Sequence, residues 1–311
     1  MDQHIAIVGA TASGKTSVSI DLAKMLNREV ISLDSMQIYR GMEIGTGAVP
    51  FDLRQGVEHH MLGIVEPEQI YSVSNFQNDV KKILVNDVDK KYVFAGGTGL
   101  YTHAVIDNFA LAPTDESIRK SIEEKFNIYE ENTDEESLKK AYEHLKELDE
   151  KAAEKIDPGN VRRIVRALEV IELTGAKFSD TGEGVQTFKE PAINVKIIGL
   201  RYTREVLKER IIKRVNEMFD SGWIQEVERL EPGWELIAPN AKAAIGYQNI
   251  IDFIRAGKPQ EQKADLIEKI VNKTSQFSRR QRKWFERDPR IIWIDCDNKE
   301  HSVILEQVSS A

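Results

Sequence analysis

The chain has 311 residues, of which 41% are hydrophobic and 30% are charged, and its formal net charge is −8 at pH 7. This length suits about two domains, and no run approaches the ~18 consecutive apolar residues of a transmembrane helix. Cys296 is the one cysteine, which excludes an intrachain disulfide and makes a cysteine-based metal site unexpected. The acidic start of the chain, MDQHIAIVGA, does not resemble a signal peptide, so we expect a cytoplasmic protein with no membrane partner.

Six short runs rich in β-branched and aromatic residues predict buried strands. Most of them are separated by segments with helical periodicity, which is typical of a parallel sheet wrapped by helices. The predicted strands cover residues 4–8, 29–33, 61–65, 91–95, 195–200 and 291–295.

The first predicted strand runs into the glycine-rich stretch GATASGKT at residues 9–16. Gly9, Gly14, Lys15 and Thr16 match the spacing G-x-x-x-x-G-K-[ST], and helical periodicity follows. In such a loop, backbone N–H groups and the helix N-terminus surround a phosphate, the lysine adds a cation, and the threonine hydroxyl can ligate Mg²⁺. The loop predicts phosphate binding but leaves open whether the phosphate is transferred, hydrolysed or released as a leaving group.

The second predicted strand leads to Asp34, at the carboxyl edge of the sheet where the phosphate loop also lies. A carboxylate there suits a metal ligand or a general base, although an aspartate at a strand end is often only a turn former. Ser35 and Gln37 add hydrogen-bonding groups suited to the edge of a base. After the strand at 91–95 the chain has GGTGLY instead of the acidic residue of nucleotide hydrolases. Either this turn presents the Thr98 hydroxyl to the same cavity, or it only reverses the chain.

Between residues 112 and 190 the pattern becomes helical, with no convincing strand. Three segments have helical periodicity: ESIRKSIEEKF, DEESLKKAYEHLKELDEKAAEKI and NVRRIVRALEVIELTG. SDTGEGVQTFKEP then predicts a polar connection back to the sheet. We therefore expect a P-loop NTPase-like α/β core, residues 1–111 and 191–311, interrupted by an all-helical insertion domain at 112–190.

Basic side chains are concentrated in helical segments despite the acidic total. Arg162, Arg163 and Arg166 lie on one helix, with Glu169 within reach of an ion pair, and SRRQRKWF at 278–285 groups four cations beside two aromatic residues. Such clusters are often solvated or ion-paired faces, and the alternative is contact with the phosphate backbone of a nucleic acid. In the second segment the aromatic residues are predicted to be packed anchors.

The segment LKERIIKRVNEMFDSG places Arg210 and Arg214 one helical turn apart. Either guanidinium group could reach a diphosphate, although surface ion pairing is the plainer interpretation. His59 and His60 have no companion ligands at a recognisable metal spacing, so we interpret them as polar loop or core residues.

Taken in order along the chain, GATASGKT, DSMQIYRGMEIGTG, GGTGLY, RRIVRALEV, AIGYQ and FSRRQRKWF resemble the motifs of the bacterial tRNA dimethylallyltransferases. These motifs span residues 9–285, nearly the whole chain. The resemblance implies transfer of a dimethylallyl group from dimethylallyl diphosphate to the N6 amine of the adenosine immediately 3′ of the anticodon in tRNA. It also implies that the phosphate loop binds a diphosphate leaving group, that Mg²⁺ is the cofactor and that the tRNA anticodon stem-loop is the partner. We expect a monomer.

The resemblance also implies roles for individual residues. Asp34 matches the base that accepts a proton from the N6 amine, Thr16 matches the Mg²⁺-contacting hydroxyl, and Lys15 and Arg214 match groups that neutralise the departing diphosphate. The diphosphate-binding positions are Gly9, Ala10, Thr11, Ala12, Ser13, Gly14, Lys15 and Thr16. The tRNA-contacting positions are Asp34, Ser35, Met36, Gln37, Thr98, Arg119, Arg162, Arg163, Ile164, Val165, Arg166, Ala243, Ala244, Ile245, Gly246, Tyr247 and Gln248.

The sequence departs from the family pattern at four positions, none of which removes a central catalytic group. Ala10 replaces the usual proline, Ala48 lies in a loop that usually has a lysine, Gly63 replaces an acidic residue, and Ser275 replaces an arginine. These changes concern tRNA affinity and closure of the loops.

Three other functions remain open from the residues: a nucleoside or nucleotide kinase, a prenyltransferase for free adenine nucleotides, and a nucleotide-gated RNA-binding switch. A kinase gives no reason for the basic segments at 162–166 and 279–283. The arginine-rich insertion helix argues against a free-nucleotide substrate. A switch would bind RNA without forming a covalent product.

Overall fold

The computed structural model describes residues 3–109, 111–129, 133–181, 188 and 190–311. Six parallel strands form one sheet in these residues, in the spatial order β3–β2–β4–β1–β5–β6. Because the strands run in the same direction, their carboxyl ends share one edge, and the loops after β2, β4 and β1 are neighbours there. The strands are β1 (His4–Gly9), β2 (Val30–Ser32), β3 (His59–His60), β4 (Val93–Gly96), β5 (Val195–Arg201) and β6 (Ile292–Asp295).

Five of the six predicted strands are confirmed, with small shifts at their ends. The strand predicted at residues 61–65 is wrong. β3 consists of His59–His60, and Met61 then takes a positive φ of 64°, so the chain turns instead of extending. Val65 keeps only an isolated bridge to Tyr39. The two histidines, interpreted from the sequence as polar loop or core residues, form β3, and His59 is buried whereas His60 is partly exposed.

Helices pack on both faces of the sheet. Alternation along β1 places Ile5 and Ile7 in one buried cluster with Val18 and Leu22, whereas Ala6 and Val8 belong to a second cluster on the opposite face. No helix in the described ranges is both long and apolar enough to cross a lipid bilayer. The helices, numbered along the whole chain, are α1 (Lys15–Leu26), α2 (Glu43–Thr46), α3 (Val73–Asn86), α4 (Gly99–Ile106), α5 (Glu116–Phe126), α6 (Glu135–Leu148), α7 (Glu150–Ala153), α8 (Val161–Thr174), α9 (Arg204–Asp220), α10 (Trp223–Leu230), α11 (Pro239–Lys242), α12 (Tyr247–Arg255), α13 (Lys263–Phe285) and α14 (His301–Ser310).

The chain divides into two compact units, one made of Met1–Asn108 with Glu190–Ala311 and the other of Phe109–Lys189. The first contains the sheet. The second contains helices α5 to α8, and its described residues form no strand. Its own buried cluster includes Ile122 of α5, Leu145 of α6 and Leu168 of α8.

One helix predicted in the second unit is broken. The pattern over residues 134–156 predicts a continuous helix, but α6 ends before Asp149 and α7 begins after it. The Asp149 carboxylate accepts the N–H of Ala152 at 3.1 Å and the N–H of Ser179 at 2.7 Å. Aspartate therefore caps the start of α7 instead of continuing α6. Most of the polar connection predicted over 179–191, namely 182–187 and 189, lies outside the described residues.

Candidate active site

The first unit has a cavity of about 300 Å³ at the carboxyl edge of the sheet. Both glycine-rich turns contribute to its wall, the phosphate loop after β1 and the GGTG turn after β4. Asp34, from the end of β2, and Arg214 of α9 line the same cavity. Neighbouring parallel strands thus bring together three segments that are far apart in the sequence.

The phosphate loop has the geometry of an anion site. Gly14 has a φ of 84° and is the N-cap of α1, and no side chain caps the first turn of this helix. Lys15 and Thr16, the first residues of α1, line the cavity. Uncapped N–H groups at a helix N-terminus attract anions. Gly9 has a φ of 145°, and a Cβ there would lie 2.6 Å from the Leu200 carbonyl oxygen, so this position requires glycine.

Two cations of the cavity lie near enough to repel each other. Lys15 Nζ donates to the Ala10 carbonyl of its own loop at 2.6 Å. Burial, and to a lesser extent the charge of Arg214, lowers the pKa of Lys15 from 10.5 to about 7, although Asp34 opposes the shift. Burial also lowers the pKa of Arg214, whose guanidinium has no hydrogen bond or ion pair within 4 Å among the described residues. A diphosphate would relieve the repulsion between these cations.

Arg210 and Arg214, which sequence spacing could not tell apart, have different surroundings. Arg210 Nε donates to the Ala12 carbonyl at 2.8 Å, and its guanidinium lies 4.6 Å from the centre of the Tyr202 ring. Arg214 packs on Gly47, where a Cβ would lie 1.8 Å from Nη2. Arg210 therefore holds the phosphate loop, whereas Arg214 is the arginine of this pair that lines the cavity.

The lowered pKa of Lys15 predicts a pH dependence of diphosphate binding. Below pH 7 the free protein carries a charged Lys15, and above it the amine becomes neutral, so binding must take up a proton. In metal-free buffer the Kd for inorganic pyrophosphate should rise by up to about tenfold per pH unit above 7. Calorimetric titration of the wild type and of Lys15→Arg tests this, because arginine stays charged and the titration of the ligand cancels between them. Parallel profiles for the two proteins would contradict the assignment.

Asp34 presents one free carboxylate oxygen to the cavity. Its Oδ1 accepts the N–H of Met36 at 2.9 Å, and no partner of Oδ2 occurs in the described part of the chain. Thr98 Oγ1, from the GGTG turn, accepts the N–H of Ser35 at 3.2 Å, and Thr98 lines the cavity as predicted. Gln37 is already engaged, since Ser32 Oγ donates to its Oε1 at 2.9 Å and its Nε2 donates to the Gly47 carbonyl at 3.2 Å.

The segment Ala243–Gln248 is partly available to a ligand. Ala243, Ala244 and Ile245 line the cavity, and Gln248 is exposed. Tyr247 is fully buried, and its hydroxyl lies 2.7 Å from Glu226 Oε1 and 2.8 Å from the Met42 carbonyl oxygen, with one O–H hydrogen to donate between them. This corrects the expected tRNA contact for the Tyr247 side chain.

In the second unit, Arg119 and Arg166 converge on the buried carboxylate of Glu169. Each donates to Glu169 Oε2 at 2.9 Å, and Arg166 also donates to the carbonyls of Ala112 and Pro113. Burial by itself raises the pKa of Glu169, but the two guanidinium groups lower it below its ordinary value. Arg166 thus has a structural ion pair, as the plainer interpretation of the cluster required.

The other residues of the segment 162–166, which was expected to contact tRNA, divide between the surface and the core. Arg162 and Arg163 are exposed on α8. Ile164 and Val165 are 0% and 3% exposed and belong to the hydrophobic cluster of the second unit. This corrects the expected tRNA contact for these two side chains, because helical periodicity turns them into the core.

Several wall residues were not identified from the sequence, among them Gln281 of α13, Trp223 of α10 and Met218 of α9. Gln281 belongs to the basic run SRRQRKWF, in which the sequence drew attention to the cations. Phe285 of this run is fully buried and Trp284 packs against the core, as predicted. Arg280 of the same run reaches the cavity. Only the fold shows which members of this run reach the cavity.

The residues present fit a magnesium ion that is held mainly by its ligand. No group of three His, Cys, Asp or Glu side chains able to hold a metal occurs in the described residues. Thr16 and Asp34 both line the cavity. Among the described residues the Thr16 hydroxyl has no hydrogen-bond partner. Mg²⁺ commonly uses one or two protein oxygens together with phosphate oxygens and waters, which matches this donor set.

Two family models match the sequence. The model of IPP transferase matches residues 37–288, and that of isopentenyl transferase matches residues 2–62. The first covers most of the chain, including the GGTG turn, the helical unit and α13.

Relatives with similar sequences cover nearly the whole chain. The tRNA dimethylallyltransferase of Corynebacterium jeikeium is 38% identical over 300 residues, 95% of this chain and 92% of that protein. That of Syntrophomonas wolfei is 36% identical over 306 residues, 97% of this chain and 95% of that protein.

Two solved structures share the fold. The full-length tRNA isopentenylpyrophosphate transferase of Bacillus halodurans has a TM-score of 0.69 at 33% identity, covering 100% of this chain and 95% of that one. A eukaryotic dimethylallyltransferase acting on tRNA has a TM-score of 0.77 at 25% identity, covering 96% and 75% of the two chains.

Proposed function

This chain belongs to the IPP transferase family, and from that premise we propose that it transfers a dimethylallyl group from dimethylallyl diphosphate to the N6 amine of the tRNA adenosine immediately 3′ of the anticodon. The observation that carries the proposal is the pairing of opposite chemistries in one cavity. A carboxylate oxygen of Asp34 without a partner lies in the same cavity as Lys15, Arg214 and the uncapped N-terminus of α1. The carboxylate can accept a proton, and the cations and the helix N-terminus can bind a diphosphate.

Asp34 supplies the base of the reaction. The N6 nitrogen attacks the allylic carbon that bears the diphosphate, so that a C–N bond forms as the C–O bond breaks. The proton lost from N6 passes to Asp34 Oδ2, since Oδ1 is held by the N–H of Met36. General-base assistance of this kind contributes about 10²–10⁴ to a rate.

The phosphate loop stabilises the leaving group. Adenine N6 is a weak nucleophile, so negative charge must develop on the diphosphate early in the reaction. Lys15, Arg214 and the N–H groups at the start of α1 are placed to stabilise that charge as it grows. Thr16 together with the diphosphate would hold Mg²⁺, which would supply further charge neutralisation when bound. The phosphate is therefore a leaving group and is not transferred.

tRNA as the acceptor is supported by the names of the relatives and of the eukaryotic structural neighbour. An adenine must leave its stack to enter a cavity of this kind. The free-nucleotide and kinase alternatives are not favoured by these relatives.

Parallel assays with different donors and acceptors test this proposal. The protein is incubated with radiolabelled dimethylallyl diphosphate and either unmodified tRNA, adenosine monophosphate or no acceptor, and in parallel with labelled ATP. We expect label in tRNA from the dimethylallyl donor only. Transfer to adenosine monophosphate in preference to tRNA, or turnover of ATP alone, would overturn the proposal.

The exposed arginines of α8 are predicted to contribute affinity for RNA and nothing to the chemistry. Replacing both Arg162 and Arg163 with alanine should weaken tRNA binding. It should also make the slope of log K against the logarithm of the salt concentration shallower, by up to about 0.9 for each duplex phosphate that the protein no longer neutralises. Arg166→Ala should instead lower the thermal midpoint, because it removes a partner of the buried Glu169. Filter binding at several salt concentrations, beside thermal unfolding, separates the two; an unchanged salt slope in the double variant would show that these arginines do not meet phosphates.

A further inference from the structure

The side-chain amide of Gln281 joins the two glycine-rich turns of the site. Its Oε1 accepts the N–H of Thr11, in the phosphate loop, at 2.8 Å. Its Nε2 donates to the carbonyl of Gly97, in the GGTG turn, at 2.9 Å. Gln281 is 5% exposed and belongs to α13. One side chain from the far end of the chain thus contacts both loops that form the diphosphate end of the cavity.

The position requires a neutral amide. The Thr11 N–H needs an acceptor and the Gly97 carbonyl needs a donor, and glutamine supplies both on one rigid planar group. Gly97 is matched to it, since a Cβ at this residue would lie 2.5 Å from Gln281 Nε2. The second glycine of GGTG therefore leaves room for the amide.

The phosphate loop depends on side chains outside it for its shape. Ala12 has a φ of 62°, a conformation that a non-glycine residue adopts at a cost. The Thr11 N–H and the Ala12 carbonyl bond to Gln281 and Arg210, from two different helices. Ala10, where the family usually has a proline, leaves the loop without the restriction of a proline ring.

We propose that Gln281 is a positioning residue that holds the phosphate loop in its diphosphate-binding conformation before the ligand arrives. It does so through Thr11, while its bond to Gly97 fixes the amide. This inference rests on the proposed function only for the identity of the ligand as a diphosphate. A loop already in its bound conformation loses less conformational freedom on binding, so losing Gln281 should weaken diphosphate binding more than it slows the chemical step.

Titration with inorganic pyrophosphate in the presence of Mg²⁺ tests the proposal directly. Gln281→Met keeps the volume and removes both hydrogen bonds, and should raise the Kd for pyrophosphate about tenfold. Gln276→Met is the matched control, because Gln276 is an exposed glutamine on the same helix and lies outside the cavity. The control should bind pyrophosphate as the wild type does. In transfer assays the KM of Gln281→Met for dimethylallyl diphosphate should rise with kcat changed less than about threefold.

Gly97→Ala reaches the same hydrogen bonds from the other side. It should displace the amide and raise the Kd similarly, and the double variant should bind pyrophosphate no worse than the weaker single variant. Pyrophosphate affinity of Gln281→Met equal to that of Gln276→Met, or additive losses in the double variant, would overturn the proposal. If Gln281→Met fails to fold, Gly97→Ala alone decides, with a wild-type Kd counting against it. A wild type that binds pyrophosphate but transfers no dimethylallyl group would overturn the proposed function and leave this test intact.

Discussion

Asp34→Asn is expected to lower the single-turnover rate of prenyl transfer by about 10²–10⁴ while tRNA and dimethylallyl diphosphate bind within a few-fold of the wild type. Asparagine keeps the shape of the side chain and the oxygen that accepts the N–H of Met36. It removes the basic oxygen that faces the cavity. Asp52→Asn, the same substitution at an exposed aspartate outside the cavity, is the control and should leave the rate unchanged.

Single-turnover kinetics beside separate binding titrations distinguish the roles open to Asp34. If it mainly holds Mg²⁺, diphosphate affinity should fall together with the rate, and added Mg²⁺ should partly restore both. If it is only a turn former, thermal stability should fall while the rate constant stays normal. A normal single-turnover rate in Asp34→Asn would refute the general-base assignment.

Lys15→Ala is expected to remove about 2–4 kcal/mol of transition-state stabilisation, seen as a loss in kcat/KM for dimethylallyl diphosphate. The physical reason is the position of the amine at the start of α1, in a cavity where burial strengthens electrostatic interactions. Arg214 remains in the variant, so diphosphate binding should weaken without disappearing.

The matched control is Lys81→Ala, which removes an exposed lysine on α3. Steady-state kinetics at saturating Mg²⁺ compare the two variants. Near-normal turnover of Lys15→Ala under these conditions would show that the amine does not stabilise the leaving group.

Much of the fold follows from local patterns in the sequence. The phosphate loop and the strands beside it carry periodicity and glycine spacing that depend on neighbouring residues alone, and they are where the sequence predicted them. The strand prediction at 61–65 is wrong because a short apolar segment can pack into the core without adopting an extended backbone. Met61 takes a left-handed conformation there, which the composition of the run does not reveal.

The site was predictable to the level of segments and less so to that of side chains. Spacing places Arg210 and Arg214 on one face of α9, and only the contacts with Ala12 and Gly47 separate a residue that holds the loop from one that lines the cavity. Gln281 meets Thr11 across 270 positions of sequence, a separation that no local pattern encodes. Tyr247 shows the opposite error. Its motif was assigned to RNA contact, but its side chain is buried in the core.

Mass spectrometry of nucleosides shows directly whether this protein places a dimethylallyl group on tRNA. Unmodified tRNA is incubated with the wild-type protein, Mg²⁺ and dimethylallyl diphosphate, digested to nucleosides and analysed beside a reaction with Asp34→Asn. We expect N6-isopentenyladenosine at the adenosine 3′ of the anticodon, with one diphosphate released for each modified nucleoside, and little product from the variant. Unmodified adenosine after prolonged incubation with active protein, or a phosphorylated product in its place, would contradict it.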